Sequence, residues 1–495
     1  MKTLNLALAK AEDVIDRLLD RFTTYRLVLY ALIIYVLAAA VLTSLHKLSF
    51  TAWQLLSSVG WLIAVCGALN WILAKLLRIP ANQESYLITA LILSLIMTPA
   101  TNLHGLGILA VAGFGAIASK FILTWHGRHI FNPAALGALI AGVGLNNYAS
   151  WWVGTKPLAP LVLIGGFLIV KRIRRMQMVA VTMAIFLSYT LAYAPAEHAA
   201  STLVAAILDS SLLFFATIML TEPLTSPTTL NGQLVYAVVV GGAYSIARLK
   251  LAPEEALLVG NILTFIMSPN RSMVLKLVRS QKEASGIYSY IFETKKRLAF
   301  IPGQYMEWTL PGVRLDSRGN RRYLTIASSP TEPSVAFTIK VPPQPSGFKS
   351  ALGSLKPGGK ILAAQLAGDF VLPEDPRVRL AFLAGGIGVT PFRSMVKSLL
   401  DHNAWRNIVL IYNANDANEF AYTGLFKRAA SVGLTSHFIT SGLDVGSLAK
   451  KIPDFRVRRF YISGPQGYVA GMRQLLLTAG VPYGQIVTDF FPGYN

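Results

Sequence analysis

The sequence predicts a polytopic α-helical membrane domain followed by two soluble domains, an antiparallel β-barrel and an alternating α/β domain. Three observations carry this. Hydrophobic residues make up 53% of the 495 and charged residues only 14%, against about 25% charge in soluble domains. Charge is unevenly placed: residues 1–270 hold 17 Lys+Arg and 10 Asp+Glu, and residues 271–495 hold 28 and 14. The pattern also changes near residue 271, from long apolar runs to strand alternation, and near 377 to strands interleaved with helical segments. The expected divisions are 1–26, an amphipathic interfacial helix; 27–270, the membrane domain; 276–376, the barrel; and 377–495, the α/β domain.

Leu4, Leu8, Ala11, Ile15, Leu18 and Phe22 share one helical face, while Lys10, Asp13, Arg17 and Arg21 lie largely off it. Apolar runs follow near 27–45, 53–77, 86–99, 106–125, 131–146, 158–170, 178–194, 202–221, 233–247 and 254–268. About ten transmembrane helices are expected, the shorter runs being broken or re-entrant. Basic residues fall at alternate ends, as at Arg26, Lys75, Arg128, Lys171–Arg175 and Arg271. This predicts a multi-pass protein of the cytoplasmic (inner) membrane with both termini cytoplasmic, although Arg248 and Lys250 then fall outside. Membrane lipid is one partner; no nucleic-acid motif is present.

IMTPATNLHGLGILAVAGFGAIAS (96–119) and MLTEPLTSPTTLNGQLVYAVVVGGAYSIA (219–247) share a Thr/Pro-rich break, a His-Gly or Asn-Gly pair and a small-residue helix. The copies lie five helices apart, an odd number, so they predict an inverted 5+5 repeat with a site lined by broken helices. Asn132 begins the run after the first copy, and Asn261 lies in the run after the second. Asp209 lies in LVAAILDSSLLFF, where an ionisable group is costly and is a candidate for proton or sodium coupling; a hydrogen bond to Ser210 or Ser211 is the structural alternative.

Cys66 is the single cysteine, so no iron–sulfur cluster is built within this chain, and no metal-ligating set is assigned. Electron carriers, if any, are organic cofactors, haem or bound metal.

In the C-terminal half, GGIGVTP follows an apolar strand pattern and opens a helix. Gly385, Gly386 and Gly388 allow close backbone approach to a pyrophosphate; Thr390 suits an N-cap and Pro391 the first helical position. In RRYLTIASSP, Arg322 suits a cofactor phosphate, and Thr325 and Ser328 present hydroxyls along a strand. Gly347–Ser350 offers a further phosphate cradle.

With RYLTIASS, GFKS, AGGIGVTPF, YISGPQGYVAGM and DFFPGYN in this order, residues 276–495 resemble the ferredoxin–NADP reductase superfamily. The resemblance implies an FAD-binding barrel and an NADH- or NADPH-binding domain. It implies that Arg322 and Ser350 bind FAD phosphates and that Thr325 lies beside the flavin ring. Gly386, Gly388, Thr390, Gly464 and Pro465 would shape the nicotinamide site, and Phe491 or Tyr494 would cover the flavin. Two positions depart: Leu324 stands where the family has a ring-stacking aromatic, with Tyr323 beside it, and Ser463 stands where a cysteine is common. ANDANEF, after the strand NIVLIYN, holds no arginine for a 2′-phosphate, which favours NADH.

Through GRHIFNPAALGAL (127–139) and TEPLTSPTTLNGQLV (221–235), the membrane half resembles the D subunit of the Rnf electron-transport complex and the B subunit of the sodium-translocating NADH:quinone reductase. The resemblance implies a ten-helix flavoprotein. The relatives' Ser-Gly-Ala-Thr attachment sequence is absent, so a non-covalent flavin, FMN or riboflavin, is expected. Asn132, Pro133, Thr225, Thr228 and Thr229 are its candidate lining, or else caps and helix breaks. The expected function is electron transfer from NAD(P)H through FAD to the membrane flavin, then to quinone, a partner subunit or an extracytoplasmic acceptor. The alternatives are a haem-based transmembrane reductase and a redox-regulated transporter; oligomeric state stays open.

Overall fold

The computed structural model describes residues 15, 19, 24–77, 83–125, 128–246, 251–267, 273–294, 298–310 and 321–489. Phe22–Pro269 and Asn270–Asn495 fall in two separate compact units. Of the expected interfacial helix, 1–26, Ile15, Leu19 and Thr24–Arg26 are described, all helical; the rest lies outside the described residues.

The first unit is helical: α1 (Thr24–Ser44), α2 (Ala52–Leu77), α3 (Gln83–Ile96), α4 (Leu103–Ile122), α5 (Pro133–Leu145), α6 (Ala159–Arg172), α7 (Met176–Tyr193), α8 (Ala199–Leu208), α9 (Leu212–Met219), α10 (Leu230–Ser245) and α11 (Pro253–Met267). Each apolar run contains a helix, but their lengths differ. Four helices, α1, α2, α4 and α7, are long and apolar enough to cross a membrane. The bent pair Ala196–Leu208 and Leu212–Met219 (51°) makes up to five. The 13 residues of α5 rise only about 20 Å, short of the roughly 30 Å hydrocarbon core.

Short helices end inside the unit, so their free backbone groups need partners. At the end of α3, Ile96 O accepts from Trp151 N (2.9 Å) and Ser150 Oγ (3.2 Å), and Trp152 Nε1 donates to Ser94 O (3.1 Å) and Met97 O (3.0 Å). Ala100 pairs through both backbone groups with the Ser58 hydroxyl (2.8 and 3.0 Å). Asn102 then caps α4, accepting from Gly105 N (2.8 Å). In the second break Thr229 caps α10 in the same way, accepting from Gly232 N (3.3 Å).

The second unit begins with an antiparallel sheet of β1 (Met273–Ala284), β2 (Ile287–Glu293), β3 (Tyr305–Thr309), β4 (Arg321–Thr325), β5 (Val335–Lys340) and β6 (Lys360–Ala367), ordered β4-β3-β6-β1-β2-β5. The end strands meet again beyond β4, where Ala327 N donates to Ala336 O (2.7 Å), so the sheet curls around Trp308, Phe292, Phe337 and Tyr290. A short helix α12 (Gly347–Gly353) precedes β6. A parallel sheet follows: β7 (Leu380–Gly385), β8 (Ile408–Asn413), β9 (Leu434–Ile439), β10 (Arg459–Ser463) and β11 (Ile486–Asp489), ordered β9-β8-β7-β10-β11. Helices α13 (Thr390–Asp401), α14 (Thr423–Arg428), α15 (Val445–Lys451) and α16 (Gln466–Thr478) connect the strands. Central β7 is buried along its whole length, which is why LAFLAG is a continuous apolar run rather than an alternating one.

Candidate active site

The strand order reverses between β7 and β10, and an open parallel sheet binds its ligand at that crevice. β7 ends at Gly385, a tight turn spans Gly386–Val389, and α13 begins. Gly386 has φ +52 and open space where a side chain would stand. A Cβ on Gly388 would lie 2.3 Å from Ser463 O and 2.5 Å from Gly464 Cα, and one on Gly385 would lie 2.6 Å from the Tyr468 ring. The glycines therefore let the two strand ends close together while one bare stretch of backbone faces outward. Pro391 lies in the first turn of α13, as expected. Thr390 is not an N-cap: the Gly386–Val389 turn runs straight into the helix, and the Thr390 hydroxyl donates back to Ile387 O (3.2 Å). Gly464 and Pro465 lead from β10 into α16.

Two polar groups that sequence reasoning did not single out stand here. The Tyr468 hydroxyl and Gln466 Nε2, both from α16, are buried without a hydrogen-bond partner among the described residues. Burial holds the Tyr468 phenol well above its usual pKa, so it stays a neutral donor. Unfilled donors beside a bare glycine turn fit a nicotinamide nucleotide. Their signal was present in YISGPQGYVAGM.

On the flavin side, β4 pairs with β3 so that Tyr305 faces Thr325 and Glu307 faces Tyr323. Thr325 is buried. Leu324 lies in the barrel core, and Tyr323, on the opposite face of the strand, is exposed. The Tyr323 ring meets Tyr305 edge-on at 5.8 Å, and its hydroxyl donates to Glu307 Oε2 (3.0 Å). Arg322 stacks over Phe348 of α12 at 5.1 Å, which brings it beside Gly347 and exposed Ser350. That cation next to a glycine-opened turn fits an anionic pyrophosphate. Ser328 has a different job: fully buried, its hydroxyl accepts from Ala336 N (2.9 Å). Phe491 and Tyr494 lie outside the described residues.

The two halves of the site are fastened together. Ser394 Oγ donates to Ser328 O (2.6 Å), and Arg393 donates to Ala327 O (3.0 Å) while pairing with Glu332. The Tyr422 hydroxyl bonds Ser289 Oγ (2.8 Å) and Thr338 Oγ1 (2.5 Å), its pKa pushed up to about 12 by burial. The helix that opens at the glycine turn is thus tied to the exit of the RYLT strand, fixing their mutual orientation.

In the helical unit, Asn132 and Thr225 are brought into one buried network. Asn132 Oδ1 caps α5 through Ala135 N (3.0 Å), its N–H donates to Asn261 Oδ1 (2.7 Å), and its Nδ2 donates to Met219 O (3.5 Å). Asn261 Nδ2 donates to Thr225 O (3.1 Å) and lies 3.3 Å from the Tyr236 hydroxyl. The Thr225 hydroxyl donates to Glu222 Oε2 (3.0 Å). Pro133 opens α5, Thr229 caps α10, and Thr228 lies half-buried between. Asp209 is not in mid-helix: α8 ends there, its carboxylate is 44% exposed, and it pairs with Lys156 (3.5 Å) rather than Ser210 or Ser211. The more enclosed charges are Lys120, which donates to Ser85 O (2.8 Å), Ser85 Oγ (2.9 Å) and Thr89 Oγ1 (2.6 Å), its electrostatic partner Glu222, and Arg175, bonded to Ser226. A lone lysine in GFGAIASKFI was the available signal. Among the described residues no three His, Cys, Asp or Glu side chains gather as metal ligands.

The NQR2, RnfD, RnfE family matches residues 151–274, and the oxidoreductase NAD-binding domain matches residues 382–438. An NADPH oxidoreductase of Mycobacterium tuberculosis is 28% identical over 191 residues, covering 37% of this chain and 50% of that one. A flavohemoprotein of Oceanobacillus iheyensis is 24% identical over 239 residues, covering 44% and 58%. The chain spans about half the length of these curated relatives. Among solved structures, the Amycolatopsis cytochrome P450 reductase GcoB aligns at 20% identity and TM-score 0.40, over 44% of this chain and 69% of that one. The flavohemoglobin of Malassezia yamatoensis aligns at 18% and 0.42, over 67% and 98%. The chain therefore joins a region that matches the NQR2, RnfD, RnfE family to a C-terminal region that matches the oxidoreductase NAD-binding domain.

Proposed function

We propose that this chain oxidises NADH on the cytoplasmic side and passes the electrons, through FAD, to a second, non-covalent flavin (FMN or riboflavin) in the membrane half. From there they reach a quinone, a partner subunit or an extracytoplasmic acceptor. The carrying observation is the fastening of the Gly385–Gly388 turn to the RYLT strand, which gives donor and acceptor one fixed geometry. Bound FAD supplies a group that takes a hydride and gives up electrons singly. Arg322 with Gly347 and Ser350 holds its phosphates, Thr325 lies at its ring, and Phe491 or Tyr494 covers it. Gly386, Gly388, Gly464, Pro465, Gln466 and Tyr468 hold the nucleotide. NADH is favoured because residues 414–426, after β8, and 440–449, after β9, contain no Lys or Arg to meet a 2′-phosphate.

The division into 1–26, 27–270, 276–376 and 377–495 belongs to this reading, as does a ten-helix inverted repeat with both termini cytoplasmic. The matching caps at Asn102 and Thr229 support the repeat. Asn132, Pro133, Thr225, Thr228 and Thr229 surround the break where the membrane flavin would lie. Any ion coupling fits Glu222 and Lys120 better than half-exposed Asp209. Acid precipitation of the purified protein followed by assay of released flavins tests the reading: two flavins per chain are expected, and FAD alone overturns the membrane carrier.

A further inference from the structure

The outer face of β1 is unlike a simply solvated strand. Val274 and Val278 are 57% and 44% exposed. Between and beside them stand exposed Lys276 and Arg279; a bulge between Leu277 and Arg279 leaves Val278 and Arg279 both outside. Exposed Lys360 of β6 lies across from Lys276. Against these three cations stands Glu293, 3.7 Å from Lys276. Apolar side chains set among basic ones suit a headgroup layer, where the valines enter the interface and the long cationic stems reach phosphate. Met273 follows Met267, the last described residue of α11, by six residues, a reach of at most about 20 Å.

We propose that the β1 face of the barrel rests on an anionic lipid surface and docks the nucleotide module against the leaflet at the end of α11. The proposal depends on the membrane reading of the helical unit. Attraction to an anionic leaflet decays within a Debye length, so docking is sensitive to lipid charge and salt.

The full chain carries one cysteine, so Cys66→Ala followed by Val278→Cys gives a single labelling site on β1. Leu37→Cys on α1, 58% exposed, gives an independent site for insertion. Each spin-labelled protein is placed in nanodiscs of phosphatidylcholine with or without phosphatidylglycerol, containing nickel-chelating lipid as relaxant. The expected result is strong relaxation of the Val278 label in anionic discs, lost in zwitterionic discs and in high salt. Arg279→Gln and Lys360→Gln should each lower the docked-to-undocked ratio about fivefold, while bound FAD shows that the barrel is folded. A Val278 label that relaxes equally in both discs, or in neither, overturns the proposal if the Leu37 label lies in lipid. A Leu37 label outside lipid overturns the membrane reading itself. Protection of Val278 that follows protein concentration rather than lipid charge assigns the face to a second copy and also overturns the proposal.

Discussion

Gly388→Ala tests whether the β7–β10 crevice holds the nucleotide. The added methyl would lie 2.3 Å from Ser463 O, 2.4 Å from Ser463 C and 2.5 Å from Gly464 Cα, all backbone atoms of the facing strand end. The overlap is about 0.7 Å on the 3.0 Å floor for real Cβ contacts, and no flexible side chain can yield to relieve it. The crevice must open by that order, which costs about 1–3 kcal/mol as overpacking. Misplacement approaching 1 Å of a group that orients the substrate lowers a rate by about 10²-fold. Gly386→Ala meets nothing within 4 Å but adopts φ +52, so only the left-handed cost of about 1–2 kcal/mol applies. Gly424→Ala, with open space and no positive φ, is the neutral control. Stopped-flow flavin reduction by NADH and thermal unfolding of the holoprotein give both readouts. A Gly388→Ala protein with wild-type KM and reduction rate would refute the placement of the nucleotide, whatever its stability.

Tyr468→Phe removes a buried hydroxyl that has no hydrogen-bond partner among the described residues, so thermal stability should hold while KM for NADH rises; a fall in stability with unchanged KM would show a structural role instead. Arg393→Ala should slow flavin reduction at saturating NADH with little change in KM, losing about 1.5–3 kcal/mol of charge-assisted bonding between the domains, and Arg393→Lys should restore only part because the paired geometry needs a guanidinium. Wild-type protein should favour NADH in kcat/KM, and Asn415→Arg, exposed just after β8, should raise NADPH use about tenfold or more; indifference to this cation would place the ribose elsewhere. Lys120→Met should destabilise the protein in nanodiscs by about 3–5 kcal/mol because Glu222 is left unpaired, and Lys120→Met with Glu222→Gln should cost less than the two single losses together; simple additivity would deny the coupling.

The helices, strands and glycine turn were legible because each follows from local chemistry: apolar runs without charge, period-two alternation, and three glycines after a buried strand. The bend in the 202–221 run was not, since no proline or glycine falls inside it. It is made by tertiary contact. Gly154 is seated so close to Ser210 that a Cβ there would lie 2.3 Å from its carbonyl, and Ser210 Oγ turns back to Ala206 O (2.5 Å). That bend moves Asp209 from an expected mid-span position to a helix end beside Lys156. Thr390 has a similar origin: hydroxyl followed by proline reads as a cap, but the preceding residues were already helical. In the RYLT strand, period two alone put Leu324 inside and Tyr323 outside. The fastening of Arg393 and Ser394 to residues 327–332 joins segments more than sixty residues apart, and no local pattern announces it.

The second helix break has the electrostatics of an electron acceptor's surroundings. An electron placed in a low-dielectric interior is an uncompensated negative charge and is expensive there unless positive charge stands nearby. Around residues 220–229, α5 begins at Pro133, capped by Asn132, and α10 at Leu230, capped by Thr229, so two helix N-termini, each with partial positive charge, meet the same break. Arg175 is bonded to Ser226 within it, and Lys120 is the electrostatic partner of Glu222. Two cations and two helix N-termini thus outweigh one carboxylate and the negative C-terminal end of α9 at Met219. Asn132, Asn261 and Thr225 hold the broken backbone rigid by hydrogen bonds to Met219 O, Thr225 O and Glu222, so this positive surrounding is fixed before any charge arrives. A rigid break with an excess of positive charge lowers the cost of receiving an electron. That is the physical argument behind the proposed electron path through the helical unit.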